Sequence, residues 1–116
     1  MTHGEIWLID FGIPVGSLPA KMRPAVVMQN DLLGIKHLNT VVVIPFTSNL
    51  VSSEHEPNIF FKKEETGLSK DSVAVIHLIG AANKFCFERK ISKLSEENYQ
   101  KLIDAVMKLI TNKSNT

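Results

Sequence analysis

Short hydrophobic runs rich in β-branched residues follow one another along most of the chain, separated by glycine, proline and polar residues. Runs of this kind are typical of strands bounded by turns. The pattern predicts strands at residues 6–11, 24–28, 40–45, 58–62, 72–78 and, as a short one, 87–91. The run Thr-Val-Val-Val-Ile-Pro at 40–45 is almost unbroken, which favours a buried central strand.

The hydrophobic period changes near the end of the chain, where it predicts a helix over about residues 96–111. Ser95 is a favourable N-cap, and the acidic residues Glu96 and Glu97 complement the positive end of the helix dipole. The apolar residues that fall on one helical face are Tyr99, Leu102, Ile103, Val106, Leu109 and Ile110. Several strands followed by one amphipathic helix predict a mostly β fold, a small barrel over about residues 4–94 with the helix packed on it.

Length and composition indicate one folded domain over residues 1–116. A chain of 116 residues with 44% hydrophobic and 22% charged residues can bury a core of its own. No apolar run approaches the roughly 18 residues that a membrane helix needs, and residues 1–5 do not begin a signal peptide. The only cysteine, Cys86, cannot form an internal disulfide and lies between two phenylalanines, which favours apolar packing. We therefore expect a cytoplasmic protein with no membrane partner.

The sequence lacks the usual signatures of a bound cofactor or metal. It has no Walker loop, no dinucleotide glycine pattern, no paired-cysteine zinc site and no Gly-x-Ser-x-Gly motif. Glu54-His55-Glu56 resembles a metal cluster only superficially, because adjacent side chains of an extended chain point to opposite faces. His77 shares a face of the predicted strand with Val73 and Val75, which favours a structural histidine over a catalytic one. We expect neither a cofactor nor a metal.

Charge and polar residues concentrate in three places. The loop 16–22 is polar and basic and leads directly to Arg23, whose backbone is restrained by the following proline. Thr47, Ser48 and Asn49 stand where the central strand ends. A guanidinium can grip a phosphate with two parallel hydrogen bonds, and hydroxyls suit phosphate oxygens or base edges. Because the net charge is only +1, binding of nucleic acid would depend on local patches such as residues 84–93, with four cations and one acid.

These motifs resemble, in order and spacing, the MazF/PemK/Kid family of toxins. The resemblance is carried by Gly4-Glu5-Ile6-Trp7, Gly16-Ser17, Arg23-Pro24-Ala25-Val26-Val27, Gln29-Asn30-Asp31, Thr40-Val41-Val42-Val43-Ile44-Pro45, Thr47-Ser48-Asn49, Leu68-Ser69-Lys70-Asp71-Ser72-Val73 and Ile91-Ser92-Lys93-Leu94-Ser95. It covers about residues 4–95 and is densest up to Asn49.

The resemblance implies an SH3-like barrel of the CcdB/Kid/MazF type, a homodimer, and a toxin endoribonuclease that cleaves single-stranded RNA, commonly messenger RNA, without a metal. It further implies products with 2′,3′-cyclic phosphate and 5′-hydroxyl ends, and a cognate antitoxin whose acidic segment covers the RNA groove. Arg23 and Thr47 are the catalytic residues that it implies. The residues expected to contact RNA are Gly16, Ser17, Lys21, Gln29, Asn30, Ser48, Asn49, His77 and Lys84.

Two other functions compete with this one. Family members often carry Gln-Ile-Arg-Thr-(Ile/Val)-Asp-Lys where this chain has residues 78–84, Leu-Ile-Gly-Ala-Ala-Asn-Lys, and Leu18 replaces a common glutamate. The loss of those polar groups leaves room for a catalytically idle barrel that binds RNA or protein. A gyrase poison of the CcdB kind shares the fold but acts through a C-terminal Trp-Gly-Ile, whereas residues 112–116 read Asn-Lys-Ser-Asn-Thr. Incubation with RNA in EDTA separates the three.

Overall fold

The computed structural model describes residues 1–13, 15–17, 21–30 and 37–111. Within them, the strands are β1 (Glu5–Asp10), β2 (Met22–Val27), β3 (Thr40–Thr47), β4 (Ile59–Phe61), β5 (Ser72–Ala74), β6 (Gly80–Asn83) and β7 (Phe87–Lys93). The helices are α1 (Lys63–Thr66) and α2 (Glu96–Ile110), with 3-10 helices at Leu50–Glu54, Ile76–Leu78 and Lys84–Cys86. Three sets of residues with expectations lie outside the described residues: Leu18, the end of the chain at residues 112–116, and the apolar loop residues Leu32, Leu33 and Ile35, which we expect to support a homodimer.

The strands form one antiparallel sheet in the order β4-β5-β3-β2-β1-β7, with β6 pairing with the first half of β3. The prediction that residues 40–45 form a central strand is confirmed. Val43 pairs with Val27 on β2 and with Gly80 on β6, and Phe46 pairs with Ala74 on β5. β3 thus places its last residues beside both β2 and β5.

Five of the strands, β7-β1-β2-β3-β6, curl round a first hydrophobic core. In a flat sheet β6 and β7 would lie about 19 Å apart, yet the four residue steps from Asn83 to Phe87 span at most about 14 Å. The sheet must therefore bend until its two ends approach, around a core of Ile9, Ala25, Val27, Val41, Val43 and Ala82. Cys86 packs against this core, as expected, whereas Phe85 is 84% exposed.

The curled sheet confirms the predicted mostly β fold but corrects one feature of it. Among the described residues no backbone pairing joins β6 to β7 or β4 to β7. The ladder is therefore not closed into a complete barrel, and the short connection Lys84–Cys86 holds the two ends together instead. The sequence pattern could not show this, because closure depends on how far the sheet bends.

Helix α2 covers the second hydrophobic core, on the β4-β5 side of the sheet. Leu102 and Ala105 are buried there against Ile6, Phe46 and Phe61. The predicted N-cap is present, since the Ser95 hydroxyl accepts a hydrogen bond from the Asn98 N–H at 3.1 Å. In the described residues no helix is of the length and apolarity that a membrane crossing requires.

The prediction of one strand over residues 72–78 is wrong. β5 ends at Ala74, which pairs with Phe46, and β6 begins at Gly80, which pairs with Val43. Residues 75–79 therefore lie opposite only residues 44 and 45 of β3, and five residues cannot all pair with two. The chain leaves the ladder there as the 3-10 helix Ile76–Leu78, held by the Asn58 side chain, which accepts from the Ile76 N–H at 2.9 Å. β6 itself was not predicted, because Gly-Ala-Ala-Asn has low strand propensity. It forms a strand here because it pairs with the backbone of residues 40–43 of β3.

Candidate functional site

A groove of about 660 Å³ opens where β2, β3 and β7 meet the segment after α1. Its apolar part is formed by the side chains of Leu8, Met22, Pro24, Phe46, Leu68 and Ile91. Its polar part is formed by Arg23, Thr47, Ser48, Gly67, Ser69, Lys70, Ser72 and Arg89. The groove therefore combines an apolar surface, on which a planar group can lie, with donors along its rim.

The charged side chains among the described lining of the groove are all positive. Three cations line it, Arg23 from β2, Lys70 from the segment after α1 and Arg89 from β7, together with four hydroxyl side chains. Among the described residues that line it, none is acidic. A chain whose net charge is only +1 thus presents its positive charge locally, which favours an anionic ligand.

Thr47 is held in position by the turn that follows β3. Its hydroxyl accepts a hydrogen bond from the Asn49 N–H at 3.2 Å, which leaves the hydroxyl proton available to donate into the groove. The Asn49 side chain in turn accepts from the Val51 N–H at 3.2 Å and caps the 3-10 helix Leu50–Glu54. Thr47 and Ser48 line the groove, whereas Asn49 supports the turn.

The segment 67–70 is tied to β7 by contacts that only a glycine permits. Gly67 ends α1 with φ +75°, and a Cβ atom there would lie 3.0 Å from the Cβ atom of Ser92. The Ser92 hydroxyl donates to the Thr66 carbonyl, and the Thr66 hydroxyl accepts from the Leu68 N–H at 3.1 Å. Lys70 is therefore carried by a segment whose base is bonded to the strand that carries Arg89.

Of the expected site residues, the structure brings Arg23, Thr47 and Ser48 together in the groove. The loop that leads to Arg23 carries Gly16, Ser17 and Lys21. Its base is closed by two backbone hydrogen bonds, from Phe11 N–H to the Lys21 carbonyl at 2.8 Å and from Lys21 N–H to the Gly12 carbonyl at 2.7 Å. Gly16, Ser17 and Lys21 are exposed on this loop and do not line the groove itself.

Three further expected residues lie at the other end of the sheet. Gln29 follows the far end of β2, six residues or about 20 Å of strand from Arg23. It is buried, and its side-chain oxygen accepts from the Val42 N–H at 3.2 Å. Asn30 follows it, and Lys84 lies near the start of β3, with its N–H bonded to the Asn39 carbonyl at 2.9 Å. The structure therefore does not join these residues to the groove.

The position expected for His77 is wrong. It does not share a strand face with Val73 and Val75, because it lies in the 3-10 helix Ile76–Leu78, beside α2. Val73 and Val75 are buried, whereas His77 is exposed. It is also absent from the described lining of the groove.

Sequence reasoning did not single out Ser69, Lys70, Ser72 and Arg89 for the site. The motif at residues 68–73 carried part of the family resemblance, and Arg89 belongs to the basic stretch 84–93, but neither pattern shows which side chains share a groove. In the part of the chain that is described, no group of three or more His, Cys, Asp or Glu side chains is placed to hold a metal ion.

Comparisons with known proteins agree with this architecture. The family model of PemK-like, MazF-like toxins of type II toxin–antitoxin systems matches residues 2–110. The endoribonuclease MazF6 of Mycobacterium tuberculosis is 37% identical over 84 residues, which cover 72% of this chain and 74% of that protein. The endoribonuclease MazF2 of Mycobacterium bovis matches to the same extent.

Two solved structures share the fold at low sequence identity. MazF from Deinococcus radiodurans superposes with a TM-score of 0.75 at 12% identity, over 95% of this chain and 96% of that one. A mycobacterial endoribonuclease in complex with its cognate antitoxin gives a TM-score of 0.73 at 13% identity, over 98% of both chains.

The family match extends over nearly the whole chain. The chain therefore belongs to the family of PemK-like, MazF-like toxins of type II toxin–antitoxin systems, and the resemblance stated from its motifs is confirmed. Together with the curated relatives, this places it among the MazF-like toxin endoribonucleases.

Proposed function

We propose that this chain cleaves single-stranded RNA, messenger RNA in particular, by a metal-independent transesterification. The observation that carries the proposal is the groove in which Arg23, Thr47 and Ser48 meet, and none of its described lining residues is acidic. RNA supplies its own nucleophile, so the protein needs mainly to bind the phosphodiester and stabilise its developing charge.

In this reaction the substrate's 2′-oxygen attacks the adjacent phosphorus, and the bond from phosphorus to the 5′-oxygen breaks. The 2′-hydroxyl loses its proton, the 5′-oxygen gains one, and the products are a 2′,3′-cyclic phosphate and a 5′-hydroxyl. Arg23 can donate two hydrogen bonds to the non-bridging oxygens, and its charge persists at every physiological pH. Thr47, fixed by Asn49, can donate its hydroxyl proton to a phosphate oxygen.

The catalytically idle alternative rests on the altered residues 78–83. In the structure these residues form the end of a 3-10 helix and β6, and none of them lines the groove. The changes therefore leave Arg23, Thr47 and the hydroxyls around them intact. This supports the active enzyme over the catalytically idle alternative.

The proposed activity is tested with purified protein and a long single-stranded RNA in excess EDTA. We expect cleavage to proceed and the new 5′ ends to be labelled by polynucleotide kinase without prior phosphatase treatment, because they are hydroxyls. Phosphatase-resistant 3′ ends that become sensitive after mild acid identify the cyclic phosphate. Intact RNA, or cleavage that stops in EDTA, would contradict the proposal.

The charge of the same groove also supports a cognate antitoxin as a partner. Three cations line the groove and none of the described lining residues is acidic, which favours an acidic polypeptide segment as a competitor for RNA. The mycobacterial structure that shares this fold is described as a complex with its cognate antitoxin. We therefore propose that an antitoxin neutralises this single-domain toxin, residues 1–116, by covering the groove in the cytoplasm, where its messenger RNA substrate lies.

We also propose a homodimer, supported by apolar side chains exposed at the end of α2. Leu109 is 37% exposed and Ile110 is 68% exposed, and exposed apolar surface of this kind is commonly covered by a second subunit. Light scattering at micromolar concentration should give twice the monomer mass. Ile110→Glu should weaken the dimer more than the control Lys101→Glu, and a monomer mass for the unmodified protein would contradict this prediction.

A further inference from the structure

We propose that Lys70 and Arg89 form a second phosphate-binding subsite, which holds a phosphate next to the one that is cleaved. The groove then accepts a strand with at least two successive phosphates, and Arg23 and Thr47 act on one of them. This inference rests on the proposed cleavage of RNA and assigns separate tasks to the cations of the groove.

The register of the strands separates Arg89 from Arg23. Arg89 pairs with Leu8 on β1, and Leu8 pairs with Pro24 on β2, directly after Arg23. The backbone that carries Arg89 thus lies two strand spacings, about 10 Å, from β2. Lys70 approaches from a third segment, beyond Gly67. Because Gly67 contacts Ser92, this segment lies against β7, the strand that carries Arg89.

Charge matching argues that the three cations serve more than one phosphate. A phosphodiester carries a single negative charge, so adding Lys70 and Arg89 to the phosphate that Arg23 binds would bring three mutually repelling cations to one negative charge. Two or more successive phosphates balance the groove better. Arg23 lies beside Thr47 at the ends of β2 and β3, which leaves Lys70 and Arg89 for the neighbouring phosphate.

The partners of the other cations on β7 set Arg89 apart. The Lys90 ammonium group lies 3.5 Å from the Glu5 carboxylate, and the Lys93 ammonium donates to the Thr2 hydroxyl at 3.5 Å. For the Lys70 ammonium and the Arg89 guanidinium, no hydrogen bond or ion pair is present within the described part of the chain. Both side chains line the groove and are exposed, so they are available to a ligand.

Hydrogen bonds from Ser72 and Ser92 hold the backbone around Lys70 in place. The buried Ser72 hydroxyl donates to the Lys70 carbonyl at 3.0 Å, and the bond from Ser92 to Thr66 fastens the preceding turn to β7. The fold therefore fixes the backbone of the segment that carries Lys70 relative to β7, and the Lys70 side chain is free to adjust to a phosphate.

The expected result is an effect on binding rather than on the chemical step. Lys70→Gln and Arg89→Gln should each raise KM roughly 10-fold, the size expected for a lost hydrogen bond to a charged group, with kcat nearly unchanged. Each should also flatten the log–log salt dependence of RNA binding by about 0.7. Lys101→Gln is the control, because Lys101 is an exposed cation of α2 that does not line the groove. Its KM should stay within about twofold of the unmodified protein's, well below the effect of a lost charged contact.

The decisive experiment neutralises the phosphate and the cation in turn. A short RNA with one cleavage site is prepared with an uncharged methylphosphonate at one flanking linkage at a time. At the linkage that Lys70 and Arg89 contact, the methylphosphonate should raise the unmodified protein's KM but change that of Lys70→Gln or Arg89→Gln much less. Additive effects at every flanking linkage, or a loss of kcat instead of a rise in KM, would overturn the assignment.

Failure of this inference can be told apart from failure of the proposed function. Normal cleavage with KM unchanged in both variants would overturn this inference alone, whereas an unmodified protein that cleaves no RNA would overturn the proposed function as well.

Discussion

Replacing Arg23 by alanine is expected to lower the rate of RNA cleavage at saturating RNA by about 10²–10³-fold, the usual loss when one charge-stabilising group is removed from a reacting centre. Arg23 is the cation nearest to Thr47 by strand position, since β2 begins beside the end of β3 and both residues line the same groove. Its two donors match the two non-bridging oxygens of a phosphodiester. The measurement is single-turnover cleavage of an end-labelled RNA with enzyme in excess.

Two controls separate the loss of the guanidinium's hydrogen bonds from a loss of charge and from unfolding. Arg23→Lys keeps the charge but cannot form two parallel hydrogen bonds to the phosphate, so it should recover only part of the rate. Arg23 is only half-buried at the edge of the groove, so Arg23→Ala should change the free energy of unfolding by less than about 1 kcal/mol. An Arg23→Ala protein that is folded and cleaves at the original rate would remove the centre of the proposed mechanism.

The fold could be predicted where its signals are local. β-branched runs and the helical period identify β1, β3 and α2 from neighbouring residues alone. β6 has no such signal, because a Gly-Ala-Ala-Asn segment becomes a strand only when the exposed edge of Val41–Val43 pairs with it. The break after Ala74 and the curling of the sheet likewise arise from how distant segments share β3.

The site divides in the same way. Arg23 and Thr47 could be proposed from the sequence because each stands at the end of a strand and belongs to a motif that resembles the toxin family. Lys70 and Arg89 could not, because their approach to Arg23 depends on the turn at Gly67 and on the register of β7 against β1. Gln29 illustrates the opposite case, since a polar residue in a family motif is here occupied with the backbone of Val42.

An acid with a strongly lowered pKa lies away from the groove, at the start of β1. The Glu5 carboxylate accepts hydrogen bonds of 2.8 Å from the Trp7 indole N–H and from the Thr2 hydroxyl, and Lys90 lies 3.5 Å away. Burial alone would raise the pKa of Glu5, but these hydrogen bonds and the charge of Lys90 together lower it to about 2. Glu5 thus fastens the N-terminal residues to β1 and β7 in its charged form.

The pH dependence of stability should therefore depend on Glu5. A carboxylate whose pKa falls from 4.5 in the unfolded chain to about 2 in the folded one stabilises the fold fully above pH 4.5. That stabilisation disappears as the pH falls from about 4.5 towards 2, and the difference in pKa corresponds to about 3 kcal/mol. Glu5→Gln should accordingly be less stable than the unmodified protein at pH 7 and should approach it at pH 2.5, as measured by urea unfolding at several pH values. The control is Glu88→Gln, which removes an exposed carboxylate from β7, and its free energy of unfolding should change with pH as that of the unmodified protein does. If the free energy of unfolding of Glu5→Gln also ran parallel to that of the unmodified protein, the assignment of Glu5 as a buried, charged anchor would be contradicted.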